Sequence, residues 1–205
     1  MGSFLFMNKK ISVGITGSIG SGKSEFTRLA EQYGFPVIKA DDLSKEILAK
    51  NPEVKKQVIK RFGSEAYLNN QPNKKYLAQI VFSNPIKLRE LERILHPLVI
   101  KEIEKQKKEI FKKHNILFVE SALIYEADLE KLFDFVVLIT AHRDIRLKRK
   151  LAQGMTEDDF IKREMNQIPD EEKRKRADFI FLNDGSLDEL KTRFNLLLTL
   201  LSVKN

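Results

Sequence analysis

Short runs of apolar residues alternate along the chain with segments in which apolar residues recur every three or four positions. Continuous apolar runs bounded by polar residues are typical of strands that are covered on both faces. A spacing of three or four indicates helices that bury one face. Because the two kinds of segment alternate, the pattern predicts a parallel sheet in an α/β domain. The predicted strands span residues 11–15, 35–38, 116–119, 135–139 and 179–182.

The stretch from residue 42 to about residue 113 breaks this alternation, since it holds helical patterns joined by polar connections. Turn-forming residues cluster at 69–73 and at 83–85, and we expect a helical insertion here. Its first helix is predicted over 43–49, with Asp42 as the residue that caps it. A closing helix is predicted over 187–201, where apolar residues return at helical spacing.

The composition narrows the class of protein. The 205 residues include no cysteine and three histidines, which excludes a disulfide framework and a thiolate zinc site. No stretch approaches the roughly 20 apolar residues of a membrane span, so we expect a cytoplasmic protein, and we interpret residues 1–8 as an N-terminal extension. The formal net charge of +8 indicates an anionic partner, but it fits polyphosphate ligands, RNA, DNA and acidic membranes equally well.

One segment carries an explicit chemical motif. Residues 17–24 match the pattern G-x-x-x-x-G-K-[ST] in full, between a predicted strand and a predicted helix. The backbone N–H groups of such a loop point inward and bind phosphate, while the lysine bridges the terminal phosphates and the last hydroxyl ligates magnesium. The sequence therefore predicts that ATP and Mg²⁺ bind through Gly17, Ser18, Ile19, Gly20, Ser21, Gly22, Lys23 and Ser24.

Further segments, in order along nearly the whole chain, make the sequence resemble the dephospho-CoA kinase family. After the loop, a strand ends in Ala40-Asp41, and the resemblance continues at 95–99, 123–126, 177–178 and 183–186, with Arg163 followed by Gln167. Four positions depart from the family pattern. An aspartate is usual at Lys39, an arginine at Ile100, a proline at Ala122 and an arginine shortly before Gly154, where this chain has Gln153.

The resemblance implies a three-layer P-loop kinase fold, in which helices flank a parallel sheet and a helical insertion and a helical lid are added. It implies one kinase domain over 9–205, an acceptor-binding insertion at 42–113 and a lid at 143–176. The implied reaction transfers the ATP γ-phosphoryl group to the ribose 3′-hydroxyl of dephospho-CoA, which gives CoA and ADP and completes coenzyme A biosynthesis.

Two carboxylates are candidates for the chemistry. Asp41 follows the second predicted strand, at the edge of an open α/β sheet where ligands collect. We predict that it binds the acceptor and takes the proton of the attacking hydroxyl, with helix capping as the alternative role. Glu120 follows the third predicted strand and is a candidate magnesium ligand alongside Ser24, with a local hydrogen-bonding role as the alternative.

Arginines recur at a spacing of three in the predicted lid. Arg143, Arg146 and Arg149 would share roughly one helix face. Because lid arginines stabilise the charge of a transferring phosphoryl group, Arg149 and then Arg146 are predicted to be catalytic, with a solvated helix face as the alternative. By the resemblance alone, His96 and Glu126 are assigned to acceptor binding and Asn183 to the border of the adenine site.

Two other functions remain open at this point. A nucleoside monophosphate kinase would share the loop, the magnesium and the lid. A nucleic-acid-binding NTPase would use the basic surface, although the sequence has no aromatic-rich RNA-binding motif and no Asn-Lys-x-Asp element. We predict dephospho-CoA as the partner, with no nucleic acid and no membrane, and the sequence leaves the oligomeric state undetermined.

Overall fold

A five-stranded parallel sheet lies at the centre of the computed structural model, which describes residues 9–203. The predicted extension at 1–8 lies outside the described residues. In chain order the strands are β1 (Ile11–Thr16), β2 (Val37–Lys39), β3 (Tyr67–Leu68), β4 (Gln71–Pro72), β5 (Ile116–Glu120), β6 (Phe135–Thr140) and β7 (Phe179–Leu182). The central sheet has the order β2-β5-β1-β6-β7, and β3 and β4 form a separate antiparallel hairpin.

Helices follow most of the strands. They are α1 (Lys23–Gln32), α2 (Ala40–Lys50), α3 (Pro52–Phe62), α4 (Lys74–Ser83), α5 (Pro85–Ile110), α6 (Arg143–Leu151), α7 (Glu157–Met165), α8 (Asp170–Arg174) and α9 (Leu187–Val203). None of the helices within residues 9–203 combines the length and the apolarity that a bilayer span requires.

Two apolar layers sandwich the sheet. On one face, Phe26 of α1 and Phe194 of α9 pack against Ile15 and Val137 of the central strands. On the other face, Ile103 of α5 is fully buried with Leu117, Val119 and neighbouring residues. Continuous burial on both sides explains why the central strands are mostly apolar, with Ser12, Thr16 and Thr140 as buried polar exceptions. The predicted three-layer α/β fold with a parallel sheet is confirmed.

Helices α2 to α5 form a lobe with a core of its own, in which Val58, Leu77 and Leu95 are buried together. Asparagine side chains accept backbone N–H groups at the starts of three helices, and proline occupies the first turn of two of them, which suits a position whose N–H has no helical partner. These local signals explain the boundaries inside the stretch that we predicted to be a helical insertion.

Two local predictions need correction. We predicted a helix over 43–49 capped by Asp42, but α2 begins at Ala40, directly after β2, and its N-cap residue is Lys39. Asp42 therefore lies within the first turn, where its carboxylate accepts a hydrogen bond from Lys45 at 2.7 Å. The second strand begins at Val37 and not at residue 35, because Pro36 has no N–H to donate to the sheet.

Candidate active site

The register of the sheet gathers the predicted site residues at one edge. Glu120, the last residue of β5, pairs with Ile15 of β1 on one side and with Lys39 of β2 on the other. The phosphate loop follows β1 and Asp41 follows β2, so the loop, Glu120 and Asp41 all lie at the carboxyl end of the strands. The chain leaves neighbouring strands β5 and β1 in opposite directions, and such a switch point is where open α/β sheets bind ligands.

Glycine is required at two loop positions by contact as well as by conformation. Gly20 has a φ of 79°, and a Cβ there would lie 2.6 Å from the Arg146 carbonyl oxygen. Gly22 has a φ of 98°, and a Cβ would lie 2.1 Å from Nδ2 of Asn183. Both are left-handed conformations that L side chains rarely adopt. The loop is thus packed tightly against the backbone of Arg146 and the side chain of Asn183.

Lys23 folds back onto the loop. Its Nζ donates to the carbonyl oxygens of Gly17 at 2.7 Å and Ser18 at 3.2 Å. Loss of hydration lowers the pKa of Lys23 to about 8, although the nearby carboxylates of Asp41 and Glu120 oppose this shift. A phosphate arriving in the loop would replace the carbonyl contacts with charge-assisted ones and favour the protonated form.

Ser24 and Glu120 make a pair of hard oxygen donors. Ser24 Oγ donates to Glu120 Oε1 at 2.6 Å, and Thr27 Oγ1 donates to the other carboxylate oxygen at 2.7 Å. Mg²⁺ at a nucleotide site usually has one or two protein ligands, with water and phosphate oxygens completing the shell. The pair fits such an ion, and Thr27 holds the carboxylate in place. The magnesium assignment of Ser24 and Glu120 remains a prediction.

Asp41 lies in the first turn of α2 and lines an open cavity. Although the residue remains in contact with solvent, the protein around it removes much of the hydration of its carboxylate, which raises the pKa of Asp41. Lys23 opposes the rise and Glu120 adds to it. A carboxylate whose pKa is moved toward neutrality is a better proton acceptor than an ordinary surface aspartate.

Two cavities meet at the phosphate loop. The first, which we call the loop cavity, has a volume of about 370 Å³ and is lined by Gly22, Arg149 and Asn183, among others. The second, the acid cavity, measures about 330 Å³ and is lined by Asp41 and Glu120. Both cavities are lined by Lys23, Ser24 and Lys150. Two molecules bound in these cavities would therefore meet above the loop lysine.

The two predicted catalytic arginines have different surroundings. Arg149 lines the loop cavity and donates to the Asn183 carbonyl oxygen at 2.8 Å. Arg146 is only 8% exposed and donates to the Ile19 carbonyl oxygen at 3.2 Å and to Glu164 at 2.7 Å. It lines neither cavity. Arg143 also donates to Glu164, as Arg146 does, whereas Arg149 donates to the Gly20 carbonyl oxygen at 3.4 Å.

Of the remaining predicted site residues, one lines the loop cavity and two line neither the loop cavity nor the acid cavity. Asn183 is buried, donates through Nδ2 to the Ser21 carbonyl oxygen at 2.8 Å, and lines the loop cavity. His96 is half-buried in α5, where desolvation lowers its pKa, and it lines neither cavity. Glu126 lies 2.9 Å from the fully buried ammonium of Lys173 and accepts a hydrogen bond from the Ile168 backbone.

Sequence reasoning missed several residues that the fold brings to the site. Lys150 lines both cavities, and Arg163 lines the acid cavity while its guanidinium stacks over Phe82. Gln167 accepts a hydrogen bond from the Ile19 backbone at 2.8 Å, and Asp170 accepts one from Ser18. Arg163 and Gln167 carried part of the family resemblance, but no spacing in the sequence indicates that they reach the loop.

A lysine-bearing phosphate loop shared by two cavities, with Asp41 in only one of them, is the arrangement of a P-loop kinase. A kinase needs separate places for donor and acceptor, whereas a hydrolytic switch needs only one. The fold agrees with this class, because a shikimate kinase from Acinetobacter baumannii superposes with a TM-score of 0.52 over 93% of this chain and 94% of that chain. At 14% identity this likeness shows the fold alone.

A family model described as dephospho-CoA kinase matches residues 11–189, and the chain belongs to that family. A dephospho-CoA kinase from Chlorobaculum tepidum is 35% identical over 187 residues, or 88% of this chain and 90% of that protein. One from Aquifex aeolicus is 36% identical over 179 residues, or 86% and 90%.

Solved structures agree with this family. A dephospho-CoA kinase from Campylobacter jejuni has a TM-score of 0.70 at 29% identity and covers 95% of this chain and 98% of that chain. A Thermus thermophilus protein, TT1252, has a TM-score of 0.79 at 33% identity and covers 94% and 98%. The resemblance, the kinase class and the kinase fold predicted from the sequence are confirmed.

Proposed function

We propose that this chain transfers the γ-phosphoryl group of ATP to the ribose 3′-hydroxyl of dephospho-CoA and releases CoA and ADP. The observation that carries the proposal, beyond family membership, is the meeting of two cavities at Lys23 and Ser24 with Asp41 on one side only. ATP occupies the loop cavity and the acceptor occupies the acid cavity. The assignment of ranges 42–113 and 143–176 to acceptor binding and to a lid belongs to the same proposal.

The donor is held by the phosphate loop. Residues 17–24 present backbone N–H groups and the start of α1 to the β- and γ-phosphates, and Lys23 exchanges its contacts with Gly17 and Ser18 for phosphate oxygens. Ser24 and Glu120 would hold Mg²⁺, which when bound neutralises charge on the phosphates. Asn183 closes the wall of the loop cavity, next to the adenine.

The acceptor hydroxyl reacts at Asp41. Its oxygen forms a bond to the γ-phosphorus while the bond from that phosphorus to the bridging oxygen of ADP breaks. The hydroxyl proton passes to the Asp41 carboxylate, and the bridging electron pair leaves with ADP. Asp41 is suited to this step because its raised pKa makes the carboxylate a stronger base. The nearby positive charge of Lys23 limits the rise in the pKa of Asp41.

Cations from the C-terminal third stabilise the charge on the transferring group. Lys150 lies between the two cavities, and Arg149 reaches the loop from the donor side. Phosphoryl transfer spreads negative charge over three oxygens, so cations on both sides of the reacting group lower the barrier. We assign Arg146 to positioning, because its guanidinium is occupied by Ile19, Ala141 and Glu164.

An acceptor panel tests the proposal. Purified protein with ATP and Mg²⁺ should phosphorylate dephospho-CoA and yield CoA, with far lower efficiency toward AMP, CMP, UMP and GMP. Comparable turnover of any nucleoside monophosphate would contradict the acceptor assignment. We also propose a cytoplasmic location and propose that the excess positive charge serves the polyphosphate ligands and not a nucleic acid.

A further inference from the structure

A third cavity adjoins the acid cavity on the side that does not touch the phosphate loop. This distal cavity has a volume of about 590 Å³. The two cavities share a wall, so a ligand in the acid cavity can extend into the distal cavity without leaving the protein surface. The four residues of this shared wall are Leu88, Glu92, Asn166 and Gln167.

Uncovered apolar surface lines the distal cavity. Met165 is 81% exposed at the end of α7, and Pro85 and Ile168 also line the cavity. Contiguous apolar surface left open beside a polar site usually marks a binding groove. Leu88, in the wall shared with the acid cavity, adds a further apolar residue to the lining.

Two charged groups on α5 face this cavity without direct partners. Neighbouring charges on the helix are paired, as Glu90 is with Lys87 at 3.2 Å and Glu102 with Lys105 at 3.4 Å. By contrast, Arg89 and Glu92 make no hydrogen bond and no contact ion pair with any residue in the described range 9–203. Burial raises the pKa of Glu92, the nearby Glu126 adds to the rise, and Arg89 opposes it from beyond contact distance.

We infer that the distal cavity binds the amide-bearing arm of the acceptor, with Glu92 accepting a hydrogen bond from an amide N–H and Arg89 donating to an amide carbonyl. This inference rests on the proposed function. Dephospho-CoA joins its reacting ribose, through a diphosphate, to a long chain that contains two amides and a thiol. The acid cavity of about 330 Å³ must hold the reacting end, so the arm has to extend beyond it.

The chemistry of the cavity matches that occupant. Amide groups need both an acceptor and a donor, which Glu92 and Arg89 supply, and the methylene groups between them suit Met165 and Ile168. The distal cavity would therefore distinguish dephospho-CoA from shorter nucleotides.

Kinetics with two acceptors test this inference. The first acceptor is dephospho-CoA, and the second is the methyl ester of ADP, which keeps the ribose and the diphosphate and lacks the arm. The variants are Glu92→Ala and Arg89→Ala, which remove the acceptor and the donor. Glu104→Ala and Arg93→Ala are the matched controls, because both positions are exposed on α5 and line neither the acid cavity nor the distal cavity. Circular dichroism and thermal melting verify that each variant is folded.

Loss of a hydrogen bond to a charged group corresponds to roughly tenfold or more in affinity. We therefore expect both variants to lower kcat/KM for dephospho-CoA about tenfold, mainly through KM, and to change it less than twofold for the methyl ester. Equal losses for the two acceptors would place Glu92 and Arg89 at the reacting end and overturn the inference, as would no loss with either. If the unmodified protein does not phosphorylate dephospho-CoA at all, the proposed function itself fails first.

Discussion

Replacing Asp41 by Asn separates its chemical role from its structural role. Asparagine has nearly the same shape and keeps a hydrogen-bonding oxygen, but it cannot take a proton at neutral pH. Base assistance typically contributes 10²- to 10⁴-fold, so we expect kcat to fall by about that factor. ATP binding should change little, because Asp41 lines the acid cavity and not the loop cavity.

The structure also limits the stability change. Asp41 lies in the first turn of α2, where a negative charge stabilises the helix by about 0.3–1 kcal/mol. The same substitution relieves the desolvation that raises the pKa of this carboxylate, which offsets part of that loss. A net change below about 1 kcal/mol corresponds to a melting shift of only about 2–4 °C for a domain of this size.

Asp42→Asn is the matched control. It removes a carboxylate from the same helical turn and also breaks an exposed ion pair with Lys45, a contact that contributes about 1 kcal/mol or less. The two variants should melt at similar temperatures, while only Asp41→Asn loses activity in a coupled assay of ADP release with dephospho-CoA. Normal turnover by Asp41→Asn, or an inactive Asp42→Asn, would refute the assignment of the base.

The pH profile supplies a second readout for the same residue. Since the pKa of Asp41 is raised, its carboxylate is protonated, and so inactive as a base, at a higher pH than an ordinary aspartate. The acidic limb of kcat/KM for dephospho-CoA should therefore lie above the usual aspartate range, and Asp41→Asn should remove that limb. A limb that stays unchanged in the variant would belong to another group.

Other predictions concern the cations of the site. Lys23→Ala should abolish turnover and remain folded, whereas near-normal activity in a folded variant would rule out its role at the phosphates. Because Lys23 loses its proton above a pKa of about 8, kcat/KM for ATP should fall above that pH, and a flat profile to pH 10 would contradict this. Arg146→Ala, which leaves two carbonyl groups without their donor and Glu164 with Arg143 as its remaining one, should destabilise the protein by about 2 kcal/mol in urea unfolding, and a loss below about 1 kcal/mol would show that the contacts are not structural. Duplex DNA or RNA should bind only non-specifically and weaken steeply with salt, and a nanomolar, sequence-selective complex at physiological salt would overturn our assignment of the charge.

The sequence alone was sufficient to predict the phosphate loop, the central strands and the kinase class. The loop at 17–24 combines glycines, a lysine and a serine at fixed spacing, and its conformation depends mainly on those residues. Continuous apolar runs predicted the central strands, because burial on both faces favours apolar residues along the whole strand. The family resemblance, which rests on short ordered segments, gave the kinase class that the comparisons confirm.

Tertiary structure decided which side chains converge on the loop. Lys150 lies more than a hundred residues after Lys23, yet both line the same two cavities because β6 places α6 beside β1. Arg146 and Arg149 look equivalent by spacing, but packing buries Arg146 between Glu164 and the carbonyl groups of Ile19 and Ala141, whereas Arg149 lines the loop cavity. The capping role predicted for Asp42 failed because β2 runs directly into α2. Sequence periodicity reports which residues of one element share a face, whereas the assembly of the site depends on how separate elements pack.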